Sequence, residues 1–190
     1  IKNNVFENVF TRSILLTTRK KAIIENNLFH GSTMATLFFS NDSDDWYESG
    51  PIRDLEIRGN TFYVRSIGRT WWKYAPAIYF YLVTKGKQLP KGSHAIHQNI
   101  LIEQNTFYLE SDGALRAESV KNLIFRKNKL IKLEQSELKE VVSPYFLSKK
   151  ASGPEKNEGS KGNVLEFKAS ENILIENNHY DSRLNKTILL

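Results

Sequence analysis

An all-β fold, a right-handed parallel β-helix of about six coils with loop inserts, is what this 190-residue sequence predicts, on three observations. A short phrase, apolar-x-x-Asn-x-aromatic/apolar, occurs six times. Its keyed asparagines, Asn4, Asn27, Asn60, Asn105, Asn128 and Asn178, are separated by 23, 33, 45, 23 and 50 residues, so two gaps equal a basic unit and the others read as that unit plus an insert. A second apolar stretch starts ten residues after Asn4, Asn27 and Asn178. Repetition at this period makes one supersecondary unit into a whole architecture, because no unit can bury its inward face until its neighbours stack on it.

The first copy of the phrase is Ile1-Lys2-Asn3-Asn4-Val5-Phe6, followed by Ile14-Leu15-Leu16. The second is Ile24-Glu25-Asn26-Asn27-Leu28-Phe29, followed by Leu37-Phe38-Phe39. In the third, Ile57 to Phe62, the second stretch is delayed to Ile78-Tyr79-Phe80. The fourth, Ile102 to Phe107, is followed only by Ala114-Leu115-Arg116-Ala117. The fifth, Phe125 to Leu130, waits until Leu165-Glu166-Phe167, and the sixth, Ile175 to Tyr180, leads to Ile188-Leu189-Leu190. These runs alternate with period two and are broken by Asn, Gly, Ser and Asp. Each unit therefore holds two or three short strands and no apolar period of helix length.

The repeated asparagine has a structural part in such a stack. At a turn recurring in every coil its side chain can occupy the tight bend, tolerate a left-handed backbone and bond to the asparagine of the next coil. The aromatic residue two places on is expected inside, in a ladder of stacked rings. Both are read as scaffold.

At this length one domain over residues 1–190 is the default. The sequence opens in mid-repeat at Ile1, so it reads as a fragment of a longer β-helix enzyme, with further coils upstream to cover the open end. No run approaches the ~18 apolar residues of a membrane-spanning helix. There is no cysteine, which excludes disulfides and thiol chemistry. The net charge is +6, but the lysines concentrate in Lys85 to Lys91 and Lys149 to Lys161, stretches rich in Gly, Ser and Pro that read as solvated loops. With neither a recognised module nor an interleaved basic-aromatic surface, no nucleic-acid partner is expected.

Function on a repeat scaffold gathers where coils carry extra residues. The first insert, about Ser40 to Asp54, contains Asp42, Asp44, Asp45, Trp46, Tyr47 and Glu48. Aromatic faces stack on the C–H surfaces of sugars, and carboxylates accept sugar hydroxyls or perform acid/base work. The competing reading is an acidic turn whose Trp covers the flank of the helix. The second insert, Tyr63 to Pro76, carries Arg65, Arg69, Trp71, Trp72, Lys73 and Tyr74 and leaves by a different edge. The third, Thr84 to Gln98, shares the first insert's position in the coil, which would set His94 on the same side as Asp44 and Asp45. His94 and His97 read as exposed loop histidines without a ligand set, so no metal or cofactor is expected. The fourth, a loop insert over 132–163, opens with a possible short helix through Leu133, Leu138 and Val141. There is no Ser-His-Asp signature, Gly-rich phosphate loop or cysteine-based metal motif.

The run from Val5-Phe6-Glu7-Asn8-Val9-Phe10 through Ile14 to Lys20 and Ile24-Glu25-Asn26-Asn27, with Asp44 to Gly50 and Arg53-Asp54-Leu55-Glu56-Ile57, resembles the later β-helix coils of glycoside hydrolase family 110. The specific likeness covers roughly residues 1 to 65; beyond that it is a generic β-helix. The resemblance implies an α-galactosidase that removes terminal α-1,3-linked galactose with inversion, its partner being a galactose-terminated glycan. It implies that the principal catalytic aspartates lie on upstream coils, so no catalytic residue is assigned and this chain alone is expected to be inactive. Asp44, Asp45, Trp46, Tyr47 and Glu48 are then the candidate substrate-binding residues. A secreted, periplasmic or cell-surface bacterial location is the matching expectation. Two other classes stay open: a lyase or epimerase acting on acidic polysaccharide, which the basic charge suits, and a non-catalytic carbohydrate-binding β-helix.

Overall fold

The computed structural model describes residues 1–9, 11–32, 34–42, 47, 50–64, 76–83, 90, 94–110, 113–134, 163–184 and 188–189. Within them the chain winds through three parallel sheets, and no helix is present. In each full coil a strand of one sheet ends just before the keyed asparagine, a strand of the second begins just after it, and a third follows. The first sheet holds β3 (Ala22–Glu25), β6 (Arg53–Arg58), β9 (His97–Glu103), β12 (Val120–Arg126) and β15 (Glu171–Glu176). The second holds β1 (Val5–Glu7), β4 (Leu28–His30), β7 (Thr61–Val64), β10 (Thr106–Leu109), β13 (Lys129–Lys132) and β16 (His179–Tyr180). The third holds β2 (Ile14–Leu15), β5 (Leu37–Asn41), β8 (Ile78–Leu82), β11 (Leu115–Glu118), β14 (Leu165–Lys168) and β17 (Ile188–Leu189). This is the right-handed parallel β-helix the repeats predict. The delayed stretches pair in register despite their inserts: Leu37 and Leu115 both lie beside Ile78, and Leu165 beside Leu115.

The asparagine ladder runs the full stack. Each ladder asparagine from Asn4 to Asn128 gives both its backbone N–H and its side-chain amide to the Oδ1 of the next. Asn27 reaches Asn60 at 2.9 and 3.0 Å, Asn60 reaches Asn105 at 2.9 and 3.0 Å, and Asn105 reaches Asn128 at 3.0 and 3.1 Å. The other side-chain proton goes to a carbonyl in the coil before, as from Asn60 to Ile24 at 2.9 Å. Four of the six are buried, so the ladder satisfies polar groups that water cannot reach.

One detail differs from the sequence reading. The left-handed conformation belongs to the residue before each ladder position: Asn3, Asn26, Gly59, Gln104, Lys127 and Asn177, with φ between 54° and 64°. That residue makes the bend, which turns the following N–H along the stack axis, where the next Oδ1 receives it.

Beside the ladder, Phe6, Phe29, Phe62 and Phe107 stack with centroids 4.9, 4.9 and 4.8 Å apart. A second column, Phe39 on Phe80 at 4.6 Å, lines the third sheet. The core is continuous from coil to coil. The first and third inserts leave by the same edge, between β5 and β6 and between β8 and β9, and the second leaves between β7 and β8. Residues 135–162 of the fourth, with the proposed helix positions Leu138 and Val141, lie outside the described residues; Leu133 is buried at its root.

Candidate functional site

Asp44, Asp45, Trp46 and Glu48 lie outside the described residues. Tyr47 is described, 79% exposed and at φ 55°, a conformation that costs an L residue other than Gly about 1–2 kcal/mol. The roots of this insert are firmly placed. Asp42 is buried at the end of β5, and Ile52 is buried on the return. Gly50 passes close to coil one, where a Cβ would stand 3.1 Å from the Thr17 side chain, a tight approach that a larger residue makes only if Thr17 shifts.

His97 departs from the sequence reading. It is the first residue of β9 and fully buried, not an exposed loop residue. His97 is buried on the same side as Ile100 and Ile102 because the left-handed Asn99 (φ 59°) between them breaks the alternation of β9, and its ring meets Phe80 with centroids 5.4 Å apart. Nδ1 accepts the Ile52 backbone N–H at 3.2 Å, which places the imidazole proton on Nε2. Burial, with the nearby Arg53 charge, pulls its pKa down to about 3. With the Nδ1 lone pair accepting the Ile52 N–H and the proton on Nε2, neither nitrogen offers a lone pair to a metal ion. Among the described residues no group of three His, Cys, Asp or Glu could hold a metal ion. His94 is exposed in the third insert, on the edge shared with the first.

Chemistry not foreseen in the sequence lies on the outward side of the third sheet. Phe38, Tyr79, Arg116 and Glu166 form one outward row across four coils. Ser40 pairs with Tyr81, and Glu118 with Lys168, in the next. Outward residues on a β-helix are normally wet, yet Phe38, Ser40, Tyr79 and Glu118 are all buried. The Glu118 carboxylate accepts the Tyr79 hydroxyl at 3.2 Å and the Leu82 N–H at 3.1 Å, and lies 3.1 Å from the Arg116 guanidinium. Arg116 also covers the Tyr79 ring at 5.1 Å, and Arg12 covers Phe38 at 4.8 Å. Burial and the Glu118 charge push the Tyr79 phenol well above its usual range, so it acts as a neutral donor. Ser40 Oγ is buried without a hydrogen-bond partner among the described residues.

The outward side of the first sheet carries a second polar ladder. Asn99 donates to Asp54 at 2.9 Å, Asn122 to Asn99 at 3.0 Å and Asn172 to Asn122 at 3.1 Å. All four residues are left-handed, and Asp54, Asn99 and Asn122 border an open cleft of about 460 Å³ with Glu56, Leu101 and Ile124. The 45-, 23- and 50-residue gaps of this ladder match those of the keyed asparagines, a signal present in the sequence.

No protein-family model matches the chain. It is 35% identical to the α-1,3-galactosidase A of Streptomyces avermitilis over 189 residues, all of this chain and 25% of that protein. It is 41% identical over 142 residues to the α-1,3-galactosidase A of Bacteroides thetaiotaomicron, which covers 74% of this chain and 23% of the relative. To the α-1,3-galactosidase B of Akkermansia muciniphila it is 35% identical over 130 residues, 68% of this chain and 16% of the relative. The chain matches the C-terminal part of glycoside hydrolase family 110 proteins. It spans about a quarter of the length of the first two relatives. The family 110 likeness, read in the sequence over residues 1 to 65, extends along the whole chain in the Streptomyces protein and so includes all four inserts.

Proposed function

We propose that this chain is the C-terminal part of an exo-acting, α-galactosidase-like glycoside hydrolase that removes terminal α-1,3-linked galactose with inversion. The observation that carries this is the 35% identity to an α-1,3-galactosidase over the whole chain. In this reading the 40–54 insert borders the sugar pocket of a longer, single β-helix, and the protein works outside the cytoplasm on galactose-terminated glycans. Inversion requires a carboxylic acid and a carboxylate about 6.5–9.5 Å apart, with space for a water on the far face of the sugar. That pair belongs to coils outside this stretch. Asp44, Asp45 and Glu48 accept sugar hydroxyls, while Trp46 and Tyr47 offer ring faces to the galactose C–H surface.

The outer face of the third sheet bears on the lyase alternative. Arg116 is paired with Glu118, and Lys168 with Glu166 at 3.1 Å, so these cations are neutralised and do not line an anion groove. The test is steady-state hydrolysis of an α-1,3-galactoside by the full-length protein carrying this chain. Trp46→Ala is expected to weaken binding by about 1–1.5 kcal/mol, the worth of an aromatic contact. Asp44→Asn and Glu48→Gln are expected to cost more, since a charge-assisted hydrogen bond is lost. Wild-type rates in all three variants would reduce the insert to a covering loop.

A further inference from the structure

Coil four passes from the third sheet to the first through a single residue, Ser119, between β11 and β12. Coils two and three make the same passage through their long inserts. Ser119 is fully buried and left-handed, φ 57°. Serine has no conformational advantage there, and glycine would adopt this backbone freely. Its side chain is what the position uses. Ser119 Oγ accepts the Ile96 N–H at 3.0 Å and donates to the Pro90 carbonyl, while its own carbonyl accepts the His97 N–H at 3.0 Å. One residue earlier, Glu118 Oε2 holds the Leu82 N–H. The Glu118-Ser119 turn thus grips the third insert where it leaves β8, at Pro90, and where it enters β9.

The grip continues to the first insert. Arg53 Nη1 donates to the Ile96 carbonyl at 2.5 Å, and His97 Nδ1 receives the Ile52 N–H. Ile96 therefore sits between Ser119 on one side and Arg53 on the other. A chain of hydrogen bonds runs from coil four, through the root of the third insert, to the root of the first.

We propose that Ser119 is a positioning residue for the sugar site: its hydroxyl fixes Ile96, and through Arg53 and His97 fixes the return of the first insert, which borders the pocket. This rests on the galactosidase reading for what the site binds, but the anchoring itself can be read separately. A stacked minimal turn is rigid because the coils on both sides hold it: Ser119 N–H donates to the Lys168 carbonyl at 2.9 Å, and the Ser119 carbonyl accepts the His97 N–H at 3.0 Å. Long inserts have more conformational freedom to lose. Holding their roots removes conformational freedom that substrate binding would otherwise have to restrict.

The clean variant is Ser119→Gly, which deletes the hydroxyl without adding backbone strain at φ 57°. In the full-length protein it is expected to raise KM for an α-1,3-galactoside about tenfold, the scale of one or two lost hydrogen bonds, with kcat changed less than about twofold. Amide exchange at Ile96 and Ile52 is expected to quicken about tenfold or more, while Phe62 in the second sheet keeps its protection. Glu118→Gln, which retains an acceptor for Leu82, is expected to move KM less than Ser119→Gly. Unchanged exchange at Ile96 and Ile52 overturns the anchoring. Quickened exchange with a wild-type KM, in a protein that does hydrolyse the galactoside, overturns the link to the site. A wild-type protein with no α-galactosidase activity overturns the functional reading instead, and the exchange rates still decide the anchor.

Discussion

The backbone N–H of Ile52 points at Nδ1 of His97, 45 residues away in sequence and one coil away in space. A bond from a buried backbone donor requires that nitrogen to stay unprotonated. The histidine is therefore a neutral structural acceptor, held there by burial.

The bond makes stability depend on pH. The folded pKa of His97, about 3, lies below the unfolded value of about 6.5. Between those values the unfolded chain takes up a proton that the folded protein refuses. The contribution is thus complete above about pH 6.5 and is lost as pH falls toward 3, at up to about 1.4 kcal/mol per pH unit. Urea unfolding at pH 7.5, 5.5 and 4.5 is expected to show this decline, and His97→Gln, a non-titrating acceptor, is expected to flatten it. The same pH slope in both proteins would place the titration elsewhere.

Asn60 is the central test of the ladder. It gives hydrogen bonds to Asn105, Ile24 and Arg58 and receives two from Asn27, all with little or no contact with water. Asn60→Leu keeps the branching of the side chain but leaves the Asn27 N–H unpaired and takes one donor from the Ile24 carbonyl. A loss of about 1–3 kcal/mol is expected from equilibrium unfolding, as for other buried unpaired groups. Asn4→Leu, at the exposed end, is expected to cost less.

The architecture was legible because its determinants repeat. Asn60 and Phe62 could be aligned with Asn105 and Phe107 by eye, and a stacked coil must place equivalent residues at equivalent positions. The second ladder, Asp54 to Asn172, followed the same gaps but was hidden by its mixture of Asp and Asn and by its lack of a flanking aromatic. His97 was misread because its polar neighbours suggested a loop, whereas β9 begins at the histidine itself. Arg116, Glu118 and Tyr79 gave no local signal. They meet only because β8 and β11 stack as neighbours, setting Tyr79 beside Glu118, 39 residues away in sequence, and no sequence period marks outward positions that become buried. The Ser119 anchor is harder still, since it depends on two coils whose passages differ in length.

Tyr47 offers a test of the site that is separable from folding. Its ring is exposed and its backbone left-handed, so the fold gains little from it and bears a conformational cost. Asparagine tolerates this backbone better than tyrosine and removes the ring. Tyr47→Asn is therefore expected to leave unfolding stability unchanged within about 0.5 kcal/mol, or to raise it slightly. If the ring stacks on galactose, the same variant is expected to weaken galactoside binding by about 0.5–1.5 kcal/mol, a two- to tenfold rise in KM. Tyr47→Phe retains the stacking face and is expected to stay close to wild type. A KM unchanged in Tyr47→Asn would remove the ring from the pocket and leave Trp46 as the only aromatic of this insert to carry the stacking. A fall in stability without a change in KM would instead make Tyr47 a packing residue.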